Sequence, residues 1–323
     1  MKNGPLNNDG LLAADATIRS HPDLAHTLNL LVAQHGEIVF ERCYRDSGPA
    51  DLHSAHSVTK SFISTLVGIL AGDGLLSLDA PVASLVDAPA FRSDPVRRSI
   101  TVRHLLTMSS GLYGHGWWDI DELEERNEPV LVGALEAPLV APPGWGFLYN
   151  NGASHVLSAV IEAVAGARPD EVAAERLFGP LGIDRWSWPT DPQGHQWGCG
   201  DLELAAHDLL KLGLLYRNGG RWDGTRVLDE GYVRTATSPL MEGGPPEHCG
   251  YGFLWWVADR ARRPSYFAGG YGGQYIVVVP GLDLVVVTMG DADAMARPSM
   301  GLALRRLVHS HVVPAFEPEA DAG

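Results

Sequence analysis

A chain of 323 residues is long enough for a full hydrophobic core and two lobes. Hydrophobic residues make up 45% and charged residues 20%, the balance of an ordinary soluble globular protein. The formal net charge of −15 argues against nucleic acid and anionic membrane as partners, because both attract a basic face.

In chain order, the segments 27–33 and 37–44 are β-type runs joined at His35-Gly36, and read as a hairpin. An apolar helix is expected over 57–71, stopped by Gly72 and Gly74. From about 79 to 234 the pattern is helical with Pro- and Gly-rich loops, the clearest helices falling at 102–108, 153–165, 169–177 and 205–217. Four apolar, turn-bounded strands follow at 252–258, 265–268, 274–280 and 284–289, then an amphipathic helix at 298–311. Strands, a helical block, strands and a helix do not make the strict alternation of a doubly wound sheet. The expected fold class is α+β: an antiparallel sheet flanked by helices, built from 1–55 and 245–323, with 56–244 inserted as a mainly helical lobe. A cleft between the two is the natural ligand site.

No apolar run approaches the roughly 20 residues of a membrane span, and the first fifteen residues lack the charged and apolar regions of a secretory signal. The expectation is a cytoplasmic protein. Cys43, Cys199 and Cys249 are odd in number and widely spaced, so they read as reduced thiols. No His, Asp and Glu cluster has metal-ligand spacing, so neither metal nor other cofactor is expected.

Only three of the 24 basic side chains are lysines, and one stands in Ser57-Val58-Thr59-Lys60. Positions i and i+3 share a helix face, so Ser57 and Lys60 can touch. Lys60 also shares its face with Ile63 and Val67 on an almost wholly apolar helix. Desolvation there favours the neutral amine, which can take a proton from a serine hydroxyl as arginine cannot. The plain alternative is a capping serine followed by a snorkelling lysine. A second segment, residues 142–152, is a turn-rich loop ahead of a helix. Its Tyr149 becomes an able proton shuttle beside an ammonium, and Asn151 offers a donor and an acceptor for a substrate carbonyl or amide. Read blandly, these are a buried tyrosine and a helix N-cap.

With Ser57-Val58-Thr59-Lys60 and Tyr149-Asn150-Asn151 in this order, the chain resembles the serine β-lactamase-like superfamily. That group spans class C β-lactamases, D-Ala-D-Ala carboxypeptidases, related esterases and 6-aminohexanoate-dimer hydrolases. Further stretches share its look: Arg103-His104-Leu105-Leu106-Thr107-Met108-Ser109-Ser110-Gly111-Leu112, Asp208-Leu209-Leu210-Lys211-Leu212-Gly213 and Tyr251-Gly252-Phe253-Leu254-Trp255-Trp256. The last, with Gly269-Gly270-Tyr271-Gly272-Gly273-Gln274, looks closest to the amide- and ester-hydrolase branch. The resemblance implies that Ser57 forms an acyl-enzyme, Lys60 activates it, Tyr149 protonates the leaving group and later activates water, and Asn151 holds the substrate. The backbone N–H groups of Ser57 and Tyr271 would make the oxyanion hole.

One motif departs from the pattern. A cationic Lys/His-Thr/Ser-Gly triplet should fall where Ala268-Gly269-Gly270 stands. His248-Cys249-Gly250 resembles it but precedes an earlier strand. Ala268 cannot pair with a substrate carboxylate, so β-lactams and D,D-peptides fit less well than a neutral amide or ester. Gly269, Gly270, Gly272 and Gly273 allow close approach of a substrate backbone, or simply form a turn. Tyr113, Trp117 and Trp118 read as an aromatic lid over the cleft or as a peripheral apolar cluster. His56 and His104 read as structural. The expected function is a serine hydrolase acting on a small-molecule amide or ester. The alternative is an acyltransferase in which a nucleophilic acceptor replaces water, and more remotely an acylated sensor or scaffold without turnover. Donor, acceptor and oligomeric state are left open by the sequence.

Overall fold

The computed structural model describes residues 8–317. Its centre is one antiparallel sheet made from both chain ends. The strands are β1 (Thr27–Gln34), β2 (Glu37–Cys43), β7 (Met241–Gly244), β8 (Cys249–Tyr251), β9 (Trp256–Ala258), β10 (Ser265–Gly270), β11 (Gln274–Val279) and β12 (Leu284–Gly290), in the order β2-β1-β12-β11-β10-β9-β8-β7. Two short pairs lie apart from it: β3 (His53–Ser54) with β4 (Glu203–Leu204), and β5 (Arg221–Trp222) with β6 (Thr225–Arg226). The expected α+β class is therefore the observed one.

The strand sequences explain their places. β11 and β12 are continuous β-branched runs, buried at every position, as central strands covered on both faces must be. β1 and β2 are joined at His35-Gly36, with φ of 53° and 85°, the positive values at both positions that a type I′ hairpin turn needs. On one face lies the Ala206–Arg217 helix, whose Gly213 is so close to the sheet that a Cβ would stand 2.6 Å from Val285. On the other lies the C-terminal helix Gly301–Leu307, with Leu304 against Gly273 and Arg305 over the Phe267 ring.

Four expectations need correction. The segment carrying Ser57 is a 3-10 turn, His56–Val58, leading into an α-helix at Thr59–Gly72, not a helix from 57. The tight turn arises because the Ser57 backbone is pressed against Gly270 of β10, where a Cβ would meet the Ser57 nitrogen at 3.2 Å. The strand expected at 252–258 begins only at Trp256, because Leu254 turns the chain at φ 56° and a Cβ at Gly252 would strike the Ala236 carbonyl. The edge strand β7 and its neighbour β8, and a helix at Asn8–Ser20, were not foreseen. The segments at 169–177 and 298–311 each break their α-helix with a π turn, Ala174–Phe178 and Val308–Val312. Among the described residues no helix is long and apolar enough to cross a membrane.

Candidate active site

The Thr59–Gly72 helix is buried from Thr59 to Leu70 and so carries Lys60 into the core, where it is 1% exposed. One turn earlier, Ser57 stays half-buried at the mouth. Lys60 Nζ lies 2.9 Å from Ser57 Oγ and donates to the Cys199 carbonyl at 2.7 Å. With both contacts made, the ammonium is held on the side of the serine hydroxyl. The Tyr149 ring covers it from a third direction, its centroid 5.1 Å from Nζ. Tyr149 is in turn stacked on Trp256, 5.8 Å between centroids and 15° between planes. The structure thus brings Ser57, Lys60 and Tyr149 together.

The sheet supplies the opposite wall. Gly270 ends β10 beside the Ser57 amide, and Tyr271, 53% exposed, opens the turn to β11 with His56 edge-on to its ring. The turn continues through Gly272 and Gly273 at φ 87° and 90°, where only glycine is unstrained. Just before Ser57, His56 is held at φ 43°, the kind of backbone outlier that gathers at functional sites. Burial, together with the Lys60 charge, lowers its imidazole pKa, against the pull of Asp201 and Asp293.

Between these walls is a cleft of about 470 Å³ lined by Ser57, Tyr149, Trp256, Tyr271, Tyr275 and Leu302, with Gly269, Gly270 and Glu247 among its other contacts. Asn151 is not in the lining. It is the first residue of the Asn151–Ala165 helix, and Asn150 is the N-cap, accepting from Ala153 N at 3.0 Å and donating to Leu112 O at 2.8 Å. Tyr113 and Trp117 are also outside the lining. Tyr113 meets His115, and Trp117 lies under Arg126, whose guanidinium carbon is 3.7 Å from the ring centroid. His104 caps its own helix, as read from the sequence.

Sequence reasoning missed three parts. The Cys199 carbonyl that fixes Lys60 is a backbone group and leaves no mark in residue types. A loop with a buried His155–Asp191 pair at 3.0 Å carries that carbonyl. The third part is Glu247, buried in the lining of the cleft between Pro245-Pro246 and His248-Cys249-Gly250. Acidic groups also stand behind Lys60: burial raises the Asp121 carboxyl, reinforced by Asp119 and Asp201 and opposed by the Lys60 charge.

A family model described as Beta-lactamase matches residues 14–308. The chain belongs to the beta-lactamase family. Among this family's members, the chain is 26% identical over 310 residues to the 6-aminohexanoate-dimer hydrolase of Paenarthrobacter ureafaciens, covering 85% of this chain and 76% of that protein. It is also 26% identical over 267 residues to penicillin-binding protein 4 of Amycolatopsis lactamdurans, with 72% and 70% covered. In fold it is similar to EstCE1, described as a hydrolase with promiscuous acyltransferase activity, with a TM-score of 0.75, 19% identity and 94% and 99% of the two chains covered.

Proposed function

We propose that this beta-lactamase-family chain is a serine hydrolase that cleaves a small-molecule amide or ester through an acyl-enzyme on Ser57. The observation that carries this reading is the buried Lys60 amine 2.9 Å from the Ser57 hydroxyl at the mouth of a cleft. A serine is a weak nucleophile until an adjacent base takes its proton. With Lys60 as the free amine, Ser57 O–H donates to Nζ, while a Lys60 N–H remains on the Cys199 carbonyl and keeps the lone pair aimed at Oγ. Oγ then bonds to the substrate's acyl carbon. The carbonyl oxygen becomes an oxyanion facing the Ser57 and Tyr271 amides. The bond to the leaving nitrogen or oxygen breaks, and the leaving group takes a proton from the Tyr149 hydroxyl, which the Lys60 ammonium restores. Water gives a proton to the same pair and attacks the ester carbon; the bond from that carbon to Ser57 Oγ breaks, Oγ takes the proton back from Lys60, and the acid is released.

Asn151 belongs to this reading only as a group at the rim, and Tyr113 and Trp117 only as parts of the outer approach, since none of them lines the cleft. Ala268 is 1% exposed and faces the core with Ile276, so the wall beside Ser57 bears no cation where the family resemblance expects one. That weighs against β-lactams and D,D-peptides, which present a carboxylate.

The test is intact-protein mass spectrometry after incubation with an activated ester, a linear amide and a β-lactam, with and without an added amine. An acyl adduct is expected on Ser57 of the wild type and not on Ser57→Ala. Decay of the adduct in water marks a hydrolase, and decay only with amine marks an acyltransferase. An identical adduct on Ser57→Ala would overturn the mechanism.

A further inference from the structure

We infer that the cleft selects an uncharged, apolar acyl chain and turns away acyl groups ending in a carboxylate or an ammonium; this rests on Ser57 being the acylated nucleophile. The observation is the wall that runs from Trp256, beside Tyr149, to Leu302. Trp256 pairs with Phe267, and Gly269 pairs with Tyr275, across neighbouring strands. Register partners point to one face of the sheet, so Trp256, Phe267 and Tyr275 form one aromatic surface. Its gap is Gly269, where a Cβ would stand 3.0 Å from the Tyr275 ring. Leu302 closes the cleft from the C-terminal helix. Of that surface Trp256 and Tyr275 line the cleft, so an acyl chain leaving the Ser57 carbon meets aromatic side chains and a leucine.

Glu247 is the only Asp, Glu, Lys, Arg or His in this lining, and it is already committed. Its Oε1 accepts from the Tyr275 hydroxyl at 2.8 Å, and its Oε2 is 2.6 Å from Arg305 Nε, at an angle that makes it an ion pair and not a hydrogen bond. Arg305 stacks over Phe267 and does not line the cleft. A substrate carboxylate would meet the Glu247 side chain with no cation at hand. A substrate ammonium would meet a carboxylate whose charge Arg305 has already balanced. Burial raises the Glu247 carboxyl, with the Arg305 charge and the Tyr275 hydroxyl opposing, and in either protonation state the wall offers no positive group. A charged terminus enters such a site without a partner and loses its hydration. This specificity differs from what the names of the two curated relatives denote.

The experiment compares three p-nitrophenyl esters of similar length: hexanoate, adipate monoester with a free carboxylate, and 6-aminohexanoate. The readout is the rate of Ser57 acylation by intact mass, alongside labelling by a fluorophosphonate. The hexanoate is expected to acylate at least about tenfold faster than either charged ester. In Glu247→Gln, which frees Arg305, the disadvantage of the adipate ester is expected to shrink at least about threefold, while that of the aminohexanoate is not. Equal or faster acylation by a charged ester in the wild type overturns the proposal whether or not the variant folds. So does labelling of Ser57 by the fluorophosphonate with no acylation by the hexanoate. If neither probe labels Ser57 in folded protein, the reading of the site itself fails and takes the proposal with it.

Discussion

In the proposed mechanism Lys60 serves as a base and not only as a charge. A buried ammonium is costly unless it is paired, and here one carbonyl, one serine oxygen and the Tyr149 ring face it. Lys60→Arg keeps the charge and removes the base, because a guanidinium does not deprotonate. Ser57 acylation is expected to slow by about 10²- to 10⁴-fold, the range of general acid–base catalysis, measured as the rate of adduct formation in folded protein. Acylation at the wild-type rate would make Lys60 a structural cation. Tyr149→Phe keeps the ring that stacks on Trp256 and covers Lys60 and removes only the hydroxyl. Turnover is expected to fall by about 10²-fold or more with little change in the unfolding midpoint. Loss of stability without loss of rate would assign Tyr149 to packing.

At the scale of the element, the loop that brings Cys199 to Lys60 is fixed by one buried pair. Gly198 N–H donates to His155 Nδ1 at 3.4 Å, so the ring proton is on Nε2 and is donated to Asp191 at 3.0 Å. The other Asp191 oxygen accepts from the Gln193 and His195 amides, both at 2.9 Å. Burial raises the Asp191 carboxyl, but the His155 hydrogen bond and these amides outweigh it and hold the pKa below its ordinary value. A depressed carboxylate contributes stability above its unfolded pKa and loses it as pH falls through the folded value. Asp191→Ala leaves three buried donors, His155 Nε2–H and the Gln193 and His195 amides, without their acceptor. It is expected to cost about 1–3 kcal/mol or more in urea unfolding, the scale of buried donors left unsatisfied, and a loss well under about 1 kcal/mol would mean the loop is held elsewhere. None of this is visible in sequence, where His155 and Asp191 are 36 positions apart in unremarkable surroundings. The legible elements were those whose burial is written in residue type, such as β11 and β12. The Asn8–Ser20 helix was illegible because its buried face is Leu11, Ala14 and Ile18 among small and polar residues. Strands β7 and β8 were missed because Met241–Gly244 and Cys249–Tyr251 have no β-branched side chain.

At the scale of the molecule, the site is assembled from distant segments. The groups that move protons in the proposed mechanism were legible, because that chemistry needs Ser57, Lys60 and Tyr149 to be those residue types. The groups that shape the cleft were not, because a wall of Trp256, Tyr275 and Leu302 looks like any core in sequence. The turn that opens this wall rests on His26, which precedes β1 and is 0% exposed. A Cβ on Gly273 would stand 3.3 Å from its Nε2, and one on Gly290 would stand 2.7 Å from its ring. Burial lowers the His26 pKa from its ordinary 6.5, with Asp291 pulling the other way. The folded chain therefore binds this proton more weakly than the unfolded chain. As pH falls through about 6.5, the unfolded chain takes up the proton first, and stability drops until the folded-state pKa is reached. His56, His104 and His309 are lowered in the same direction, chiefly by burial, whereas the hydrogen bond to Glu162 raises His195 and opposes them. The contribution of His26 is isolated by difference. His26→Gln is expected to lose less stability between pH 7.5 and 5.5 than the wild type in urea unfolding, whatever its stability at the higher pH. Equal losses in the two proteins would mean that the imidazole under the turn does not titrate on unfolding.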